Sequence, residues 1–233
     1  MRTLLTCFVL LFVSATAHTQ TLFSYSSLLL PDSLKKNADA VYHLKEQMIE
    51  IASPSSMKIK AHTIVTVLTK AALYHSVQRI GVDKLYKLEE IKVKVYNELG
   101  IETEKYTKKD FKLEGAYDGI TLASDNKVYE LDFPVPGLPC TIEVEYTVNA
   151  TGFIDLPSWF FGSTTESFKK SRYVVKSAIP VNYKAYNFKG EPVITTEADR
   201  KIYTWELADK TVMVKEANSC LLYTSPSPRD RTR

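Results

Sequence analysis

A strict period of two runs through much of this 233-residue chain. It is clearest from Thr141 to Val148, where Ile142, Val144, Tyr146 and Val148 alternate with Thr141, Glu143, Glu145 and Thr147. Side chains on a strand point alternately to its two faces, so such a segment buries one face and wets the other. The same rhythm sets Met57, Ile59, Ala61, Thr63, Val65 and Val67 against Lys58, Lys60, His62, Ile64, Thr66 and Leu68. Further runs rich in Val, Ile, Tyr and Thr cover Ala40–Ile51, Lys84–Tyr96, Lys127–Phe133, Ser171–Ile179, Val181–Phe188 and Lys201–Leu207. Turn residues punctuate them at Ser53-Pro54-Ser55, Asn97 to Gly100, Asp118-Gly119, Pro134 to Pro139, Lys189-Gly190 and Ala198-Asp199. One short helix is expected at Leu34–Ala38, with Asp32 or Ser33 as its cap. The fold class is therefore mainly β, an antiparallel β-sandwich with one short N-terminal helix. No repeat or linker interrupts Ala40 to Ala217, so one domain, residues 32–219, is expected.

The two ends lie outside that domain. Arg2, the apolar run Leu4–Val13 and Ala15-Thr16-Ala17 read as a secretory signal peptide over residues 1–17, followed by an extension over 18–31. At the other end, Cys220–Arg233 reads CLLYTSPSPRDRTR. Its first six residues back-translate to TGT CTC TTA TAC ACA TCT, a transposon end used in library preparation, and Pro226–Asp230 fit the adapter arm that follows. Residues 220–233 are accordingly read as adapter-derived, with the native frame cut near Ser219.

The formal charge of +3 shrinks once these ends are set aside, because Arg2 supplies one unit and the tail two. No basic face is left to steer nucleic acid. No internal run approaches the ~20 apolar residues of a membrane helix. No disulfide framework is possible despite the exported context, because Cys7 lies in the signal, Cys220 in the tail, and Cys140 stands alone.

Several stretches resemble the bacterial domain-of-unknown-function 3857 family, the β-rich N-terminal domain of exported transglutaminase-like proteins. They are Leu34–Val41, the run Lys84–Phe111 with its turn at Tyr96–Gly100, and Tyr146 through Leu156-Pro157-Ser158-Trp159-Phe160. The resemblance spans roughly residues 32–217. It implies a partner, a papain-like core bearing Cys, His and Asp downstream of this chain. It also implies residence in the periplasm or cell envelope of a Gram-negative bacterium, or outside the cell.

Site chemistry is sparse. Cys140 follows Pro139 at a strand start, where a half-buried thiol is ordinary, and no neighbouring imidazole activates it in sequence. His43, His62 and His75 are dispersed, and no HxH, HExxH or CxxC pair gathers metal ligands, so neither a metal nor a cofactor is expected. Glu143 and Glu145 share a strand face and read as solvated. Lys105, Lys108 and Lys109 with Glu104 and Asp110 read as a mixed-charge turn. The aromatics Trp159, Phe160 and Phe161 are the candidate binding residues, although sheet packing explains large aromatics more often than a platform does. Two functions follow: a non-catalytic accessory domain for the downstream core, or a freestanding exported module that grips a polysaccharide or a protein. An enzyme complete within these residues is the weakest reading.

Deleting Cys220–Arg233 should leave the melting temperature unchanged. A drop of several degrees, beyond the ~2–4 °C that 1 kcal/mol produces in a domain of this size, would contradict the adapter reading.

Overall fold

The computed structural model describes residues 25–115, 126–153, 156–184 and 190–213. The signal, the tail, the turn at Asp118-Gly119 and residues 185–189 lie outside the described residues. The described strands are β1 (Ala40–Ser53), β2 (Ser56–Val67), β3 (Val77–Val82), β4 (Tyr86–Tyr96), β5 (Glu102–Thr107), β6 (Lys112–Gly115), β7 (Lys127–Asp132), β8 (Cys140–Ala150), β9 (Glu166–Ser177), β10 (Val193–Glu197) and β11 (Arg200–Lys210). They form an eight-stranded sheet in the order β10-β11-β9-β1-β2-β8-β4-β5 and a three-stranded sheet in the order β3-β7-β6.

The chain is mainly β, as the alternation predicts. It departs from a purely antiparallel sheet at one place, where β1 and β9 pair in parallel from Ala40↔Glu166 to Ile51↔Ser177. A parallel neighbour needs a long crossover. Here the whole of β2 through β8 serves as that connection, which no local pattern announces. The described part of Val181–Phe188, residues 181–184, is not a strand. Strands β5, β6 and β10 escape the sequence reading because their residues are largely exposed and carry no alternation of burial, and β3 because it is short and has no fully buried residue.

One face of the large sheet carries the core. Val65 and Val67 of β2, Ile91, Val93 and Val95 of β4, and Ile142 and Val144 of β8 cluster with Leu131 and Phe133 from the smaller sheet side and with Phe111. The opposite face is closed at one end by the N-terminal segment. Leu30, Leu34 and Ala38 pack there on Val41, which points away from its core neighbours Ala40 and Tyr42 as alternation requires.

The expected helix is present but brief. It spans Asp32–Lys35 (α1), and neither Asp32 nor Ser33 caps it, since the cap position is Pro31 with no side-chain bond. Asp32 instead sits in the first turn and pairs with Lys35 at 2.7 Å. Asn37, with φ of 61°, terminates it in the left-handed region that Asn tolerates. Lys108 also departs from the solvated reading: its Nζ bonds the Leu88 carbonyl and lies 5.2 Å over the Tyr129 ring.

The turn between β4 and β5 anchors the N-terminal segment. Ser27 N–H and Ser26 Oγ both donate to the Glu98 carbonyl, at 3.1 and 2.9 Å. Gly100 has φ of +81°, and a Cβ there would lie 2.8 Å from the Ser26 backbone nitrogen. Gly100→Ala should therefore cost at least about 1 kcal/mol in a chemical denaturation series, from the positive φ and the backbone clash together. An unchanged midpoint would show that the N-terminal segment is not seated on this turn.

Candidate functional site

The aromatics singled out in the sequence line a cleft of about 710 Å³ on the core face, toward the β9–β11 side of the sheet. Residues 156–162 have no regular structure, so strand alternation does not sort their side chains. Trp159 is half-buried, donates from Nε1 to Ser171 Oγ at 3.1 Å, and stacks on Tyr173 with centroids 5.5 Å apart. Phe161 meets the Trp159 ring edge-on at 6.4 Å, while Phe160 is 71% exposed. Tyr173 fixes the loop from beneath by donating from its hydroxyl to the Pro157 carbonyl at 2.7 Å. The row continues across the sheet to Trp205 on β11, 5.8 Å from Tyr173, with Tyr183 edge-on to it at 5.1 Å. Lys45 stands within 5.1 Å of the Trp159 ring, a cation–π contact that burial favours. Such a floor of anchored rings with one open edge suits a flat apolar group.

On the opposite face, the reading of Glu143 as solvated is wrong. Its side chain is 7% exposed. The residues that cover it are far apart in sequence, which is why alternation alone misses it. Glu143 lies on β8 across from Ile64 of β2 and Lys94 of β4. His62 Nε2 approaches Oε1 at 2.9 Å, the Tyr96 hydroxyl donates to Oε2 at 2.7 Å, and Lys94 Nζ reaches Oε2 at 3.4 Å. Burial works against the Glu143 charge, but the bonds from His62 and Tyr96, with the Lys94 charge, overcome it and hold the carboxyl at about 2. Its bond to Glu143 in turn raises His62, against the effect of burial. Glu145 does remain exposed, with Oε1 3.4 Å from the same His62 nitrogen. The structure thus joins His62, Glu143 and Glu145, whose ligand atoms all lie within 4.8 Å of one another.

The other candidates have structural surroundings. Cys140 is buried, and burial pushes its thiol up to about 11, the wrong direction for a nucleophile. His75 pairs with Glu166 at 3.0 Å on the core side of β9. His43 Nε2 contacts Thr66 Oγ1 at 2.8 Å, Thr66 contacts Thr141 at 2.7 Å, and Thr141 donates to the Tyr25 carbonyl at 3.0 Å. A carbonyl can only accept, so each hydroxyl donates onward and His43 must donate from Nε2. Burial accordingly lowers His43 to about 4.

Linkage fixes the pH signature of the Glu143 pair. The depressed Glu143 contributes stability that is present above 4.5 and lost as pH falls toward about 2. The raised His62 contributes stability that is present below 6.5 and lost as pH rises through its folded value. Glu143→Gln should therefore lower the unfolding free energy most between pH 4.5 and 6.5, by about 2–3 kcal/mol. Denaturant midpoints for the two proteins in chelator-treated buffer check this. A deficit that does not vary with pH would contradict the pairing.

A search of curated proteins gave no match. Among solved structures, the fold is similar to that of a protein from Parabacteroides distasonis described as a "putative protease", at 14% identity and a TM-score of 0.65. The alignment covers 77% of this chain and 37% of that one, so this chain spans well under half of the larger protein. An M1 zinc metallopeptidase from Deinococcus radiodurans aligns over 72% of this chain and 39% of its own, at 11% identity and a TM-score of only 0.32, too slight a likeness to argue from. The family model for the domain of unknown function 3857 matches residues 53–212, from the β1–β2 turn to just past β11, and the chain belongs to that family.

Proposed function

We propose that this chain is a non-catalytic accessory domain, exported by its N-terminal signal, at the head of a longer transglutaminase-like protein whose Cys/His/Asp core follows it. The observation that carries the reading is the fold match to a far longer protein, of which a chain like this one accounts for only 37%. The position of Met213 supports it. Met213 N–H donates to the Ser163 carbonyl at 2.8 Å, and the Met213 sulfur lies 3.0 Å from where a Cβ on Gly162 would stand. Met213, the last described residue, therefore sits beside the loop that carries Trp159, Phe160 and Phe161. A downstream domain would have the open rim of the aromatic cleft within reach, and its docking there would cover Phe160.

The buried, un-ionised Cys140 favours the absence of acyl-transfer chemistry in this domain. The expressed chain should fold yet show neither peptidase nor transglutaminase turnover. Reproducible turnover lost in Cys140→Ala would sink the reading.

The open aromatic cleft favours a second reading, a module that holds a polysaccharide or a peptide in its own right. Sugar faces and apolar side chains both stack on rings such as Trp159. In that case the isolated chain should bind on a glycan or peptide array, and Trp159→Ala should weaken the binding about tenfold or more, in line with the loss of a buried aromatic anchor. Silence across a broad array would remove this second reading.

A further inference from the structure

We propose that His62, Glu143 and Glu145 form a binding site for one divalent cation of the zinc class on the polar face of the eight-stranded sheet. The site is independent of whether a downstream core exists.

The spacing of the donors is the first argument. His62 Nε2 lies 2.9 Å from Glu143 Oε1 and 3.4 Å from Glu145 Oε1, and all three groups fall within 4.8 Å of one another. A tetrahedron with metal–ligand bonds of ~2.0 Å has edges of ~3.3 Å. Two of the three edges are already near that length and the third is no longer than 4.8 Å, so the carboxylates need only turn inward by a small amount to close around a cation.

The scaffold is the second. His62 of β2 stands directly across from Glu145 of β8, and Glu143 is two residues along the same strand face. Strands β2 and β8 lie in the interior of the sheet, each paired on both edges. The surrounding groups orient the donors as outer-shell partners do. Tyr96 and Lys94 occupy Oε2 of Glu143 and so leave Oε1 turned toward His62.

Charge and access complete the case. Lys60 pairs with Glu50 at 2.9 Å and Lys92 with Glu90 at 3.0 Å, while Lys92 also stands across from Glu145 on β4 and Glu46 stands across from His62 on β1. Lys94, 3.4 Å from Glu143, is the lysine in direct ion-pair contact with a donor carboxylate. A groove of about 210 Å³ opens over His62 and Glu145 and leaves room for water or an external donor to complete the coordination. One imidazole with two carboxylates favours zinc and its transition-metal neighbours. Calcium and magnesium require more oxygen donors than the three groups provide.

The same atoms without a metal form a proton-held ion pair, and the test separates the two. The whole chain is stripped with chelator and dialysed against zinc, and against cobalt to read the visible absorption of the bound ion. His62→Ala and Glu145→Gln are treated in parallel, with circular dichroism confirming their fold. The expected result is one zinc per wild-type chain, undisturbed by excess magnesium, with affinity reduced at least about tenfold in each variant. Cobalt absorption should fall with it. Glu145 is exposed, so its variant keeps the test decisive even where His62→Ala fails to fold. Wild type that retains no zinc, or binding identical in Glu145→Gln, overturns the proposal. The remaining cysteines and histidines are common to all variants and cancel in that comparison.

Discussion

Strand β8 is hydrogen-bonded along its whole length to β2 on one side and to β4 on the other, and the rest of the molecule takes its position from that double pairing. A strand held on both edges cannot slip by one residue without turning every buried side chain to the wrong face. Ile142 and Val144 are thereby fixed in the core, while Thr141 and Glu143 are fixed on the reverse side. The N-terminal segment then closes over that reverse side through Leu30 and Leu34. Tyr25 takes the last hydrogen bond of the chain that starts at His43.

The two faces lead to different chemistries. The core face ends in an aromatic floor where Trp159, Tyr173 and Trp205 are locked by packing and hydrogen bonds, with Phe160 left in solvent. This is a surface suited to apolar contact. The reverse face is a lattice of crossed ion pairs whose one deeply covered member is Glu143. Surface ion pairs of this kind contribute little individually, but a covered carboxylate with three partners is a position the fold must keep satisfied. No helix among the described residues is long and apolar enough to cross a membrane.

Local pattern made much of this legible. Strands β2 and β8 fall where apolar side chains recur at every second residue, because half-burial imposes that period, and β1, β4, β7, β9 and β11 fall in runs rich in Val, Ile, Tyr and Thr. The edge strand β10 and the small-sheet strand β6 are exposed on both faces and leave no such trace. The parallel β1–β9 pairing and the covering of Glu143 are long-range facts. In each case the decisive partner lies far along the chain, at Glu166 for Ala40 and at Tyr96 and His62 for Glu143. The loop aromatics were visible as residues, but their sorting into Trp159 and Phe161 against the sheet and Phe160 outward depends on Ser171 and Tyr173 beneath them. Alternation assigns Glu143 and Glu145 to one face. It carries no information that one of them is sealed.

That this domain heads a longer protein is tested by the nucleotide sequence of the source DNA across the codon for Ser219. The frame should remain open past this codon and run into a domain bearing Cys, His and Asp, with no CLLYTSPSPRDRTR in the genome. A native stop codon at that point, or a genomic copy of the Cys220–Arg233 sequence, would contradict it and leave a freestanding module.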